Sequence, residues 1–65
     1  MAMSAVDMQY LKDMTAQNNA CIALCKKYLQ ASPADRRAQI TTMAQECITE
    51  ETQENADIAA MMKAG

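Results

Sequence analysis

The sequence predicts an all-α protein, an antiparallel two-helix hairpin that dimerises into a four-helix bundle. Its 65 residues include one Gly, one Pro and no Phe or Trp. Ala, Met, Gln, Glu and Lys are abundant, and these residues favour helices over strands. Apolar residues recur every three or four positions along two stretches, as on the buried face of a helix. The one proline, Pro33, lies between those stretches.

The first predicted helix covers about residues 5–30. It begins after the sequence SAVD at 4–7, where Ser4 can cap the first N–H groups and Asp7 suits the positive helix end. Asn18 alone interrupts its apolar stripe. The stripe consists of Met8, Leu11, Met14, Cys21, Ile22, Cys25 and Leu29.

The second predicted helix covers about residues 33–63, after a turn at about 31–32. The sequence SPAD at 32–35 is a helix-start signal, with Ser32 as N-cap and Pro33 at the first helical position. Two long helices joined by so short a turn must lie antiparallel. The apolar stripe of this helix consists of Ile40, Met43, Ala44, Cys47, Ile48, Ile58, Met61 and Met62.

The two stripes predict a register and a core. If Leu29 faces Ile40, then Asn18 faces Glu51. A polar pair in an apolar seam penalises wrong registers, and we expect this role for the pair; the alternative is exposure at an imperfect seam. The predicted core and interface residues are Met8, Leu11, Met14, Asn18, Ile22, Cys25, Leu29, Ile40, Met43, Cys47, Glu51, Ile58 and Met61.

A single hairpin leaves apolar surface uncovered. A second, partly apolar stripe lies beside the first on helix 1, and it is wider than one partner helix can cover. Chains of this length also bury only a modest share of their surface. The second stripe consists of Tyr10, Met14, Cys21, Leu24 and Tyr28. We therefore expect a homodimer, or a bundle completed by another helical protein.

Charge placement suggests how two hairpins dock. Four cations lie at the turn end and four carboxylates toward the open end, so antiparallel docking brings opposite charges together. The alternative is that these charges only make a soluble surface. The cations are Lys26, Lys27, Arg36 and Arg37, and the carboxylates are Asp7, Asp13, Glu54 and Asp57.

The three cysteines admit two interpretations. Free cysteine behaves as a small buried hydrophobe, so the favoured interpretation places Cys21, Cys25 and Cys47 in the core, with no cofactor. The alternative is a soft-metal site in which these thiolates and the Met43 thioether bind Cu(I). Met43 would suit copper but not zinc. The chain has no His to act as a base or ligand, and we predict no enzyme activity.

Overall charge and targeting signals limit the partners and the compartment. A net charge of −2 argues against binding to nucleic acid or to an anionic membrane. We find no secretory leader and no apolar run of membrane-spanning length, and an odd cysteine count does not suit a disulfide framework. These features predict a cytoplasmic protein.

Two resemblances to known families agree with the hairpin. The sequences SPADR at 32–36 and IAAMMKAG at 58–65 resemble the ferritin-like hairpins of spore coat protein F-like families, although the aromatic residues that follow there are missing. The sequences MTAQN at 14–18 and ENADIAAM at 54–61 are similar to a ferritin-like domain of unknown function, whose first helix carries M-x-x-H-H. Both histidines are replaced here, so that family's metal role is not implied. The uncovered apolar faces predict a non-enzymatic interaction module that self-associates or completes a helical bundle, and the resemblance implies a structural or coat-associated role for it.

Overall fold

A computed structural model describes residues 2–65, which fold into two long antiparallel helices. Helix α1 comprises Ala5–Leu29 and helix α2 comprises Ala38–Ala64. The helices pack along their lengths into a rod of 51 × 14 × 13 Å, and residues 2–65 contain no β-strand. The prediction of an all-α helical hairpin is confirmed.

Helix α1 begins with the capping box that the sequence predicts. The Asp7 N–H donates to Ser4 Oγ at 3.0 Å, and the Ser4 N–H donates to Asp7 Oδ2 at 3.4 Å. The helix ends at Leu29, and the Gln30 N–H donates to the Lys26 carbonyl oxygen at 3.1 Å. A cation in this last turn suits the negative end of the helix dipole.

The predicted start of helix 2 at Pro33, after a two-residue turn, is wrong. Pro33–Asp35 forms a single 3-10 turn, closed by a hydrogen bond from the Asp35 N–H to the Ser32 carbonyl oxygen. Arg36 and Arg37 are then extended, and α2 starts at Ala38. Packed helix axes lie about 8–10 Å apart, so the chain must cross that gap before it can reverse direction. The connection at 30–37 makes the crossing, and the proline signal specifies only its middle turn.

The predicted pairing of Asn18 with Glu51 is also wrong. Asn18 Nδ2 donates to Glu54 Oε1 at 2.9 Å and to Asn55 Oδ1 at 3.0 Å, one turn further along α2. With 3.6 residues per turn, the residue opposite a given position alternates between steps of three and four. Cys21 nevertheless contacts Cys47, within one residue of the predicted register, so the error concerns how far the Asn18 side chain reaches along α2.

Few side chains are buried between the helices. Among residues 2–65 the buried apolar side chains are Ala44 and Ile58, and the buried polar one is Asn18. Three of the predicted core and interface residues are exposed in the hairpin, namely Ile40, Met43 and Met61. The remaining ones are half-buried: Met8, Leu11, Met14, Ile22, Cys25, Leu29, Cys47 and Glu51.

Candidate functional site

The three cysteines meet on one side of the hairpin. Cys21 and Cys25 lie one turn apart on α1, and Cys47 projects from α2 between them. Cys21 Sγ lies 3.4 Å from Cys47 Sγ, and all three sulfur atoms lie within 4.8 Å of one another. Each thiol is free and half-buried. The sequence predicted this grouping from the i, i+4 spacing on α1 and the antiparallel fold.

Glu51 lies at the edge of this cluster, outside the group of three sulfur atoms that approach one another within 4.8 Å. It follows Cys47 by one turn of α2, and its carboxylate is close enough to raise the pKa of the Cys21 thiol. Glu51 Oε2 is buried but accepts no hydrogen bond. The apolar spacing predicts Glu51 opposite Asn18 and does not predict its position near the thiols. One sequence pattern indicates that Glu51 lies on the same face of α2 as Cys47, because the two are four residues apart, as Cys21 and Cys25 are on α1.

The pKa values of the Cys21 and Cys47 thiols are raised above that of free cysteine. The hydrogen bond with Cys47 raises the pKa of Cys21, and burial and the Glu51 carboxylate raise it further. The hydrogen bond with Cys21 lowers the pKa of Cys47, but Cys25, burial and Glu51 outweigh it, so the pKa of Cys47 is also raised. A protonated thiol is a poor nucleophile. The same thiol must lose its proton before it can bind a metal ion, so metal binding at this cluster would be coupled to proton release.

An apolar groove of about 580 Å³ lies open beside the thiols, toward the loop. Leu24 and Met43 each expose 66% of their surface there. The groove is lined by Cys21, Leu24, Cys25, Lys27, Tyr28, Ile40, Met43, Ala44 and Cys47. Met43, the fourth ligand of the copper alternative, therefore lies in the same groove as the thiols, but it points largely into solvent.

A polar network crosses the hairpin next to the cluster. Asn18, 5% exposed, donates to Glu54 and Asn55, and Asn55 Nδ2 donates in turn to Asn19 Oδ1 at 2.9 Å. The amides satisfy one another across the seam, as a buried polar group requires. This network separates the groove near the loop from the apolar residues at the open end.

Comparison with known proteins found no family model, curated protein or solved structure that matches this chain. The resemblance to spore coat protein F-like families therefore stays a prediction. Within residues 2–65, neither helix combines the length and the apolarity that a bilayer-spanning segment needs. The proposals that follow rest on the geometry of the hairpin.

Proposed function

We propose that this protein is a non-enzymatic self-association module, in which two copies complete a four-helix bundle. The observation that carries the proposal is the thin core: two buried apolar side chains against a row of exposed ones. Val6, Tyr10, Leu24, Ile40, Met43 and Met61 each expose more than 40% of their surface. Because a single hairpin buries so few apolar side chains, apolar burial contributes little to its stability. A second copy would cover the apolar side chains that one hairpin leaves exposed to water.

The exposed area is of the size that a dimer interface needs. A compact monomer of 7.1 kDa exposes about 4,100 Å², whereas this hairpin exposes 4976 Å². The excess of about 900 Å² is close to the roughly 800 Å² that each partner contributes to a standard interface. The radius of gyration agrees, because it is 15.0 Å against about 11 Å for a compact chain of this length.

Charge favours a second copy in antiparallel orientation as the occupant of the groove. Lys26, Lys27, Arg36 and Arg37 lie at the loop end, and Asp7, Asp13 and Asp57 lie toward the other end. Glu54, the fourth carboxylate of the prediction, lies near the middle of the hairpin, where it accepts a hydrogen bond from Asn18. A copy turned end for end therefore sets each basic loop beside an acidic open end. Each exposed ion pair between the two copies contributes about 0–1 kcal/mol. These pairs therefore favour one relative orientation of the copies, while burial of the apolar groove provides most of the affinity.

The test is molar mass by light scattering, for the wild type and two matched variants. We expect the wild type at twice 7.1 kDa, and Leu24→Glu to weaken association at least about tenfold, because the new carboxylate is buried in the interface. Gln45→Glu adds the same charge on the polar face of α2, beside Thr49 and Glu50, and should leave the dimer intact. A folded wild-type monomer at every concentration would contradict self-association and leave the groove to a different helical protein.

A structural role of this kind also fits the resemblance to coat families described above. The cytoplasmic location and the coat-associated role stay predictions. Self-association is the part of the proposal that rests on the hairpin's own geometry.

A further inference from the structure

We propose that Cys21, Cys25, Cys47 and Glu51 form a four-ligand Zn²⁺ site within a single hairpin. All four donors belong to one chain, so the site does not depend on self-association. Each helix supplies a pair of donors one turn apart, Cys21 and Cys25 on α1 and Cys47 and Glu51 on α2. The three sulfur atoms already lie within 4.8 Å of one another, whereas the Glu51 carboxylate lies beside Cys21 but outside that group and must turn toward it to complete the site.

The spacing of the sulfur atoms suits a tetrahedral ion. With Zn–S bonds of about 2.3 Å, the sulfur atoms of a tetrahedral site lie about 3.8 Å apart. The Cys21–Cys47 separation of 3.4 Å is slightly shorter than this, and the limit of 4.8 Å for all three pairs is slightly longer. Small side-chain rotations therefore bring the three thiolates to zinc distance without moving either helix.

Glu51 fits the fourth position better than Met43 does. A buried carboxylate oxygen without a hydrogen bond is costly, and Glu51 Oε2 is such an atom, on a carboxylate that also interacts with the Cys21 thiol. A cation at the cluster gives that oxygen a partner. Met43 exposes 66% of its surface, so its side chain has no buried polar atom that lacks a partner.

The identity of the fourth donor selects the metal. Zn²⁺ accepts thiolate sulfur together with carboxylate oxygen in four-coordinate sites. Cu(I) prefers thiolate and thioether donors, and so would draw on Met43 instead. Three thiolates exclude Mg²⁺ and Ca²⁺, which take oxygen ligands. Three sulfur atoms and one carboxylate oxygen therefore indicate zinc.

Zinc binding would cross-link α1 and α2. Three thiols lose their protons to solvent as three Zn–S bonds form, while the Glu51 carboxylate binds without proton loss. An ion that binds the folded hairpin alone stabilises it by mass action. We expect the melting temperature of the reduced protein to rise with zinc occupancy.

The experiment titrates the reduced protein with Zn²⁺ in competition with a chromophoric chelator, and repeats it with Co²⁺ and Cu(I). We expect one Zn²⁺ per chain, and for Co²⁺ the visible absorption bands of a tetrahedral sulfur-rich site. Cys47→Ser should abolish stoichiometric binding. Glu51→Gln should weaken zinc affinity at least tenfold, whereas Glu50→Gln, an exposed neighbour, and Met43→Leu should not change it.

Four results would overturn the assignment. They are no zinc binding by the folded wild type, unchanged affinity in Glu51→Gln, one zinc per two chains, and binding of Cu(I) alone with dependence on Met43. Circular dichroism of each variant establishes that it is folded before titration. The Co²⁺ spectrum of the wild type tests the ligand set even where a variant does not fold.

Discussion

Asn18 and Glu51 are polar residues at the helix seam, and they differ in how their polar atoms are satisfied. Asn18 is 5% exposed and has two hydrogen-bond partners on α2. Glu51 has a buried oxygen without a hydrogen bond, and its carboxylate lies close to the thiols of Cys21 and Cys47. The Asn18 amide is therefore satisfied within the hairpin, and its role in setting the register stays a prediction, whereas the unpartnered Glu51 oxygen is the atom to which the proposed zinc site gives a partner.

Replacing Asn18 should destabilise the hairpin. We expect Asn18→Ala to lower the free energy of unfolding by about 1–2 kcal/mol, because it leaves the Glu54 and Asn55 side chains without their donor. Gln17→Ala alters an exposed neighbour on the same helix and should change stability by less than about 0.5 kcal/mol. Urea unfolding of both variants measures the difference. Equal stability of the two variants would mean that the network contributes nothing.

Sequence patterns located these residues on the seam but did not pair them correctly. Apolar spacing identifies which face of a helix is covered, and that was enough to bring Cys21, Cys25 and Cys47 together. It does not say how far a long side chain reaches. In the structure Asn18 donates a hydrogen bond to Glu54 and not to Glu51, and the Glu51 carboxylate lies beside the Cys21 thiol.

At the scale of the elements, the two helix starts illustrate what a local signal can and cannot specify. Ser4 forms a capping box with Asp7, because α1 begins at the next residue, as the sequence signal predicts. Ser32 precedes a 3-10 turn and makes no side-chain cap. Helix α2 starts later, at Ala38, where Arg37 is the N-cap without a side-chain bond. The signal predicted a helical turn correctly, but the crossing to α2 is a tertiary requirement that no short motif encodes.

The two serines provide a matched pair of variants. We expect Ser4→Ala to cost about 1 kcal/mol of stability, since it removes the acceptor for the Asp7 N–H. Ser32→Ala should cost much less, because the Ser32 side chain makes no capping hydrogen bond. Thermal unfolding of both, at one protein concentration, provides the comparison. A larger loss for Ser32→Ala would contradict the observed start of α2.

At the scale of the whole molecule, the hairpin is a rod with an apolar groove open on one side near the loop. Its length of 51 Å and width of 14 Å are those of one pair of helices, without a second layer to cover the groove. The sequence predicted both the hairpin and the surplus apolar stripe. It could not say how thin the core would be, because burial depends on the splay of the helices and on which side chains reach across.

The central claim is that a second copy completes this core, and the dependence of the melting temperature on protein concentration tests it most directly. Association stabilises only the folded state, so we expect the melting temperature to rise over an about hundredfold range of concentration. The measurement is made on reduced protein with a chelator present, so that bound metal does not contribute. A melting temperature independent of concentration, together with a folded monomer by sedimentation equilibrium, would contradict the claim.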